Sequence, residues 1–300
     1  MMASSAGGGL GAGPVRYRLL GIDLDGTLFD STGRPPRANL EAVRRAESAG
    51  MIVALCTGRG WKESQVAVEA LGHRGPLVLA NGALISEPAT GRTLHRAVIE
   101  PHLSGPVVDH LAAMGEAVLI LLDPAECDHD YLVVQPDKLT DNTRWWFDYV
   151  GATWRETDRA SEEDLHHAVR VGIVGPSSRM PAAQSSLGRR FAEQVFVQHF
   201  MAVAESAANG EAIHVLEVFA PGVNKWEALR MVADDHGIAA REVAAVGDHI
   251  NDVDMIRGAG CGIAMANAVD AVLAVANQRT SSNDEAGVAL AIDRLLRGEW

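Results

Sequence analysis

Two aspartates two residues apart, Asp23-Leu24-Asp25, run directly into Gly26-Thr27. In an extended segment the two carboxylates point the same way, and Gly26 permits a tight turn just after the second. So placed, they can divide two roles: Asp23 at a strand tip as nucleophile, Asp25 on a turn as general acid/base. Other polar groups follow apolar runs in the same manner: Thr57-Gly58-Arg59, and Gly247-Asp248-His249-Ile250-Asn251-Asp252. Carboxylates brought together repel, and a hard cation held by oxygen ligands is the usual remedy, which points to Mg²⁺. Lys225, one residue inside a predicted helix, adds an ammonium to the positive end of that helix. This combination suits a transferring phosphoryl group.

The elements that must position these groups are short apolar runs separated by helical patterns. Tyr17–Ile22, Met51–Cys56, Pro76–Ala80, Val243–Val246 and Cys261–Ala264 read as buried strands of a parallel sheet. Asn39–Ala49, Trp61–Leu71 and Lys225–His236 read as helices, stopped by Gly50, Gly72 and Gly237, with Asn224 as an N-cap. Strand–helix alternation implies an α/β, doubly wound parallel-sheet core. Ligands of such sheets bind beyond the carboxyl ends of the strands, which is where the polar groups fall. Residues 1–16, with the run GGGLGAG, read as a flexible tail. Residues 17–86 and 212–300 form the expected core. Residues 87–211 read as an inserted α/β module, with strands at Ala117–Leu122 and Tyr131–Val134 and a helix near Asn142–Val150.

On these residues the chain resembles a phosphatase of the haloacid dehalogenase (HAD) superfamily, of the Cof type with a class IIB cap. The family's DxDGT motif matches Asp23–Thr27. Its second motif matches Thr57-Gly58-Arg59, its lysine motif Gly222-Val223-Asn224-Lys225, and its GDxxND motif Gly247–Asp252. Asn81-Gly82-Ala83 and Ser282–Gly287 resemble further Cof signatures. The resemblance implies a HAD-like Rossmannoid core and a specificity-setting cap. It also implies attack by Asp23 on phosphorus to give an aspartyl-phosphate, with Asp25 protonating the leaving oxygen and then activating water. Mg²⁺ would be held by the Asp23 carboxylate, the Asp25 main-chain carbonyl and Asp248, with Asp252 as ligand or support. Thr57, the amides of Leu24 and Gly58, Asn251 and Lys225 would bind phosphoryl oxygens. Two departures bear on substrate fit: Trp226 stands where glycine often follows the lysine, and Met265-Ala266-Asn267 where Met-Gly-Asn is common. Trp226 is expected either to narrow the crevice or to pack on the cap.

Other candidates read more plainly. Arg59 is expected to bridge the core surface or to touch substrate. Asp128-His129-Asp130 reads as a hairpin turn, and adjacent His166 and His167 cannot readily share a metal. His249 reads as an exposed loop histidine. Trp145 and Tyr149 share a helix face expected to pack in the cap core; Trp146 or Trp154 would be the residue that stacks on a ligand.

Composition narrows the classes further. With 47% hydrophobic residues the chain has ample material for a core. A net charge of −13 without a basic cluster argues against nucleic acid as partner, and no apolar run is long enough to span a membrane. Three widely spaced cysteines exclude a complete disulfide framework and a zinc ribbon. The expectation is a cytoplasmic, Mg²⁺-dependent phosphatase of small phosphorylated metabolites, either sugar phosphates or cofactor-like phosphates. A phosphomutase, a dedicated sugar-phosphate phosphatase, or a non-catalytic phosphometabolite-binding regulator are the alternatives. Nothing in the sequence sets the oligomeric state.

Overall fold

The computed structural model describes residues 16–203 and 212–300; the tail expected over 1–16 lies, apart from Arg16, outside the described residues. The chain first lays down β1 (Leu19–Ile22), β2 (Ile52–Cys56), β3 (Leu77–Leu79), β4 (Leu84–Ser86) and β5 (Thr93–Arg96). It then enters a second sheet with β6 (Val118–Leu122), β7 (Tyr131–Val134), β8 (Trp154–Thr157), β9 (Ala168–Gly175), β10 (Phe196–Val203) and β11 (Ile213–Phe219). It returns with β12 (Val243–Gly247), β13 (Cys261–Ala264) and β14 (Gln278–Arg279). The core sheet has the order β14-β13-β12-β1-β2-β3-β4-β5, and the cap sheet the order β10-β11-β9-β6-β7-β8.

From β14 to β3 every pairing is parallel, and β4 and β5 close that edge antiparallel. Both faces of the core sheet are covered. Leu20, Ile22, Val53, Leu55 and Val246 pack into one apolar layer, while Leu19, Ala54, Cys56, Val243 and Ala245 pack into the other. This is the period-two consequence of a strand buried on both sides. Each fully buried leucine or isoleucine contributes roughly 1.5–3 kcal/mol, which anchors strand tips that carry mutually repelling carboxylates.

The domain limits differ from those expected at 86/87 and 211/212. Thr93–Arg96 pairs with β4 in the core sheet, and Ile213–Phe219 pairs with β10 and β9 in the cap sheet. The chain therefore crosses between the sheets after Arg96 and after Phe219. The sequence hides this because the sheet to which each strand belongs is set by the strands it pairs with.

Trp226 takes neither expected place. Its indole lies on helix Val253–Gly258, where a Cβ on Gly258 would stand 2.3 Å from the ring. Gly258, having no side chain, leaves the room that the Trp226 indole fills. The aromatic helix Asp141–Val150 also differs: it buries Phe147, whereas Tyr149 is 64% exposed and stacks on Trp145 at 5.2 Å. Phe147 in turn stacks on Trp154, which fixes Trp154 in the cap packing.

Candidate active site

Because β1, β2 and β12 are parallel and in register, Ile22 beside Leu55 and Val246, they end at one edge of the sheet. Asp23, Thr57 and Asp248 are therefore delivered side by side. After Asp23 the chain makes a turn with Asp25 at φ −78°, ψ 120° and Gly26 at φ 77°, ψ 0°, the angles of a type II turn. Only glycine fits its third position. Besides the positive φ, a Cβ there would lie 2.4 Å from Asp248 Oδ2. The turn separates the two aspartates as the spacing demands, one buried under the strand tip and one facing the cleft.

Lys225 is the first residue of helix Lys225–Asp235, which Asn224 caps by accepting from the Glu227 amide at 2.9 Å. Its ammonium is fully buried and donates to Asp23 Oδ1 at 2.6 Å and to Asp252 Oδ1 at 2.7 Å. The other oxygen of Asp252 accepts from the amides of Asp248 and His249, both at 2.9 Å. Thr27 donates to Asp248 Oδ1 at 2.7 Å. Asn267 donates to the Gly26 carbonyl at 2.8 Å and accepts from the Asn283 amide at 3.0 Å. The C-terminal signature thus acts as a clasp on the aspartate turn.

Asp23, Asp248 and Asp252 each present an oxygen within 4.8 Å of the others. One ammonium does not balance three buried carboxylates. Burial, and then the charge of Asp252, push Asp23 well above the usual carboxylate range, and the same two causes push Asp248 up to about 7. Three hard oxygen donors, short of positive charge, fit a hard divalent cation.

Asp25 behaves oppositely. Desolvation by the protein around the crevice works to raise it, although the side chain is 58% exposed, but the Arg59 guanidinium wins and holds the carboxyl below the usual range. Of the two expectations for Arg59 the salt bridge is the one seen, and its partner is Asp25. The guanidinium binds Asp25 bidentately, Nε to Oδ2 at 2.8 Å and Nη2 to Oδ1 at 2.6 Å.

Above these groups lies a cavity of about 530 Å³, between the cap sheet and the segments that follow the core strands. Asp23, Asp25, Thr57, Gly58, Asp248 and Asn251 form its polar floor; Trp145, Trp146, Tyr149 and Phe200 line its sides. Leu24, Lys225 and Asp252 lie behind the floor. His249, expected as an exposed loop residue, also lines the cavity and meets the Phe200 ring edge-on at 5.7 Å. Asp128-His129 sits between β6 and β7, with His129 Nδ1 against its own neighbour Asp128.

Sequence reasoning missed a set of buried polar residues: Glu63, Tyr131, Arg170 and Glu217, with Asn81 known only from the resemblance. A signal was present. Arg170 in Ala168-Val169-Arg170-Val171 and Glu217 in Val215-Leu216-Glu217-Val218 are lone charges inside apolar strands, which have no reason to be there without a buried partner.

A doubly wound core that gathers aspartates, a threonine and a lysine at its carboxyl edge beneath an inserted cap defines a phosphoryl-handling hydrolase. A family model described as haloacid dehalogenase-like hydrolase matches residues 20–292, and the chain belongs to that family. It is a Cof-type phosphatase, a phosphoric monoester hydrolase. Among similar proteins, 5-amino-6-(5-phospho-D-ribitylamino)uracil phosphatase YitU of Bacillus subtilis is 29% identical over 277 residues, 90% of this chain and 94% of that one. The phosphatase YwtE of the same organism, named for the same substrate, is 28% identical over 94% of this chain and 99% of its own length. A haloacid dehalogenase-like hydrolase from Bacteroides thetaiotaomicron superposes with a TM-score of 0.77 at 24% identity, covering 93% of this chain and 99% of that one, a likeness of fold. Among the described residues no helix is long and apolar enough to cross a membrane.

Proposed function

We propose that the chain hydrolyses the phosphate ester of a sugar or polyol, preferring one that also carries a flat heterocycle, through an aspartyl-phosphate on Asp23. The observation that carries this reading is the placement of Asp23 between the Lys225 ammonium and an acidic cluster, directly beneath an aromatic-walled cavity. The substrate class rests on the stacked Trp145–Tyr149 pair and on the substrate named for YitU and YwtE, a ribityl phosphate attached to a uracil.

In this reading the Asp23 carboxylate attacks phosphorus, with Lys225 screening its charge. Thr57, Asn251 and the Leu24 and Gly58 amides receive the phosphoryl oxygens and stabilise the charge that builds up on them. Asp25 delivers a proton to the departing alkoxide and takes one from the water that cleaves the acyl phosphate. Asp25 must leave Arg59 to do so, because a carboxylate gripped by a guanidinium is a poor acid. Asp23 and Asp248, with the Asp25 carbonyl, would hold Mg²⁺, and Asp252 would support them. Bound there, Mg²⁺ supplies positive charge to the phosphoryl oxygens and the nucleophile. The cap closes the cavity over the ester and chooses its alcohol. The same reading puts the enzyme in the cytoplasm, where its three free thiols stay reduced.

The test is phosphate release from a panel of sugar, polyol, nucleotide and cofactor phosphates, with Mg²⁺, with EDTA, and with Asp23→Asn as blank. Mg²⁺-dependent turnover of polyol or sugar esters, absent in the variant, is the expected result. A folded protein that binds panel members and releases no phosphate would reverse the reading in favour of a binding protein.

A further inference from the structure

Arg170 leaves the cap strand β9 and ends in the seam between the two sheets, where two branches of hydrogen bonds start from its guanidinium. In the first, Nη1 donates to the Gly58 carbonyl at 2.9 Å. The amide on the other side of that peptide group, Arg59 N–H, donates to Thr57 Oγ1 at 3.1 Å. In the second, Nη1 also meets Glu217 Oε1 at 2.6 Å, and Glu217 Oε2 accepts from Asn81 Nδ2 at 2.9 Å. Asn81 Oδ1 then accepts from Asn251 Nδ2 at 2.8 Å. Nη2 is tied to the Tyr131 hydroxyl at 2.6 Å, which itself donates to Glu63 at 2.7 Å.

The direction of every bond in these branches is fixed by chemistry. A guanidinium only donates and a carboxylate only accepts, so Asn81 must turn its amino group to Glu217 and its carbonyl to Asn251. Asn251 must then use one amino hydrogen on Asn81, which leaves the other for a ligand in the cavity. Thr57 Oγ1, already accepting from the Arg59 amide, has its own hydrogen left to donate. Both branches therefore end in a side-chain donor that lines the same cavity as Asp23, and both begin at one cap residue. The backbone is held in an unfavourable form to permit this: Ala80 (φ 47°) and Asn81 (φ 56°) are left-handed without being glycine. Such residues persist where the surroundings over-determine them, and they gather at functional sites.

We infer that Arg170 and Glu217 are positioning residues of the cap that orient the Thr57 hydroxyl and the Asn251 amide toward the phosphoryl group, so that phosphate is gripped fully only when the cap is seated. The inference rests on the proposed phosphate-binding role of Thr57 and Asn251. A cap–core latch with no bearing on the donors would tie the sheets together equally well, but it would leave phosphate affinity alone once the fold is intact.

The probe is orthovanadate, a phosphate mimic, as inhibitor of the Mg²⁺-loaded enzyme. Glu217→Gln keeps the shape but has one carbonyl oxygen where Arg170 and Asn81 each need an acceptor; Arg170→Met/Glu217→Leu removes both charges together and takes the acceptor from Asn81. Each should weaken vanadate inhibition by about 10- to 100-fold, the effect of losing a charged hydrogen-bond partner, with the melting temperature measured alongside. Thr57→Val should cost less in the double variant than in the parent, because its donor is already misdirected. Unchanged vanadate affinity in folded variants, or strictly additive losses with Thr57→Val, would overturn the inference. A parent enzyme that vanadate does not inhibit and that Thr57→Val does not change would instead remove the reading of Thr57 as a phosphate ligand, and the inference with it.

Discussion

Arg59 holds both oxygens of Asp25 in its planar fork, at 2.6 and 2.8 Å, and so keeps the proposed acid/base ionised in the resting enzyme. Removing the guanidinium removes the cause of the lowered pKa. Arg59→Met should therefore move the Asp25 limb of the kcat/KM pH profile upward by about 1–3 pH units, the usual span for a carboxylate losing an arginine. A limb that stays put in the variant would assign it to another group.

Asp23→Asn should lower turnover by on the order of 10⁴-fold or more, as expected when a nucleophile is lost. It should also raise the melting temperature of the metal-free protein, since it deletes one of three carboxylates that share a single ammonium. Phosphate release and thermal melts in EDTA check both halves. A large loss of stability would mean that the Lys225–Asp23 pair outweighs the repulsion.

Cation binding should stabilise the fold independently of catalysis. At 100 times its dissociation constant, Mg²⁺ should add about 2.7 kcal/mol, visible as a rise in melting temperature. Asp248→Asn should abolish most of that rise. An equal rise in the variant would move the cation elsewhere.

His73 is 4% exposed, and among the described residues neither ring nitrogen has a hydrogen-bond partner. Burial lowers its pKa from 6.5 to about 4. The unfolded chain takes up the proton first, so the contribution is complete above pH 6.5 and is lost as pH falls toward 4. The loss is about 3 kcal/mol at most. His73→Phe should flatten the stability–pH curve between those values, and denaturant melts at several pH values measure the slope. An unchanged slope would place the titration in another group.

Gly258→Ala should destabilise by about 1–3 kcal/mol, because its methyl meets the Trp226 indole. The cost should shrink in a Trp226→Ala background. A double-mutant cycle in thermal stability reads the coupling, and additive values would show that the contact relaxes freely.

The polar floor of the cavity was legible because its residues follow short apolar runs at strand ends, and parallel strands bring such ends together whatever the cap does. Asp23, Thr57 and Asp248 needed only that rule. Arg59 did not follow from it, since its partner Asp25 is reached through a turn whose angles depend on the packing of Gly26 against Asp248. The cap was harder. Trp145 and Tyr149 have core-like spacing, yet Phe147 takes the buried face because the β7 ring Tyr131 lies beside it. Arg170 and Glu217 were visible as misplaced charges, but their partners come from other strands and other helices. The ends of the cap were displaced for a related reason: Thr93–Arg96 and Ile213–Phe219 are assigned by which strand they pair with, a fact no local pattern contains.

The seam between the sheets has a further consequence for turnover. At its centre lie Glu63, Tyr131, Arg170 and Glu217, joined to one another and to Asn81 and Gly58. For such groups the gain on pairing and the cost of leaving water nearly cancel. Parting the sheets there hands each group back to solvent with little net change in free energy, whereas an oily seam would cling. In the proposed cycle of cap closure, a seam of this composition would part and re-form at little cost, returning each time to the same pattern of hydrogen bonds.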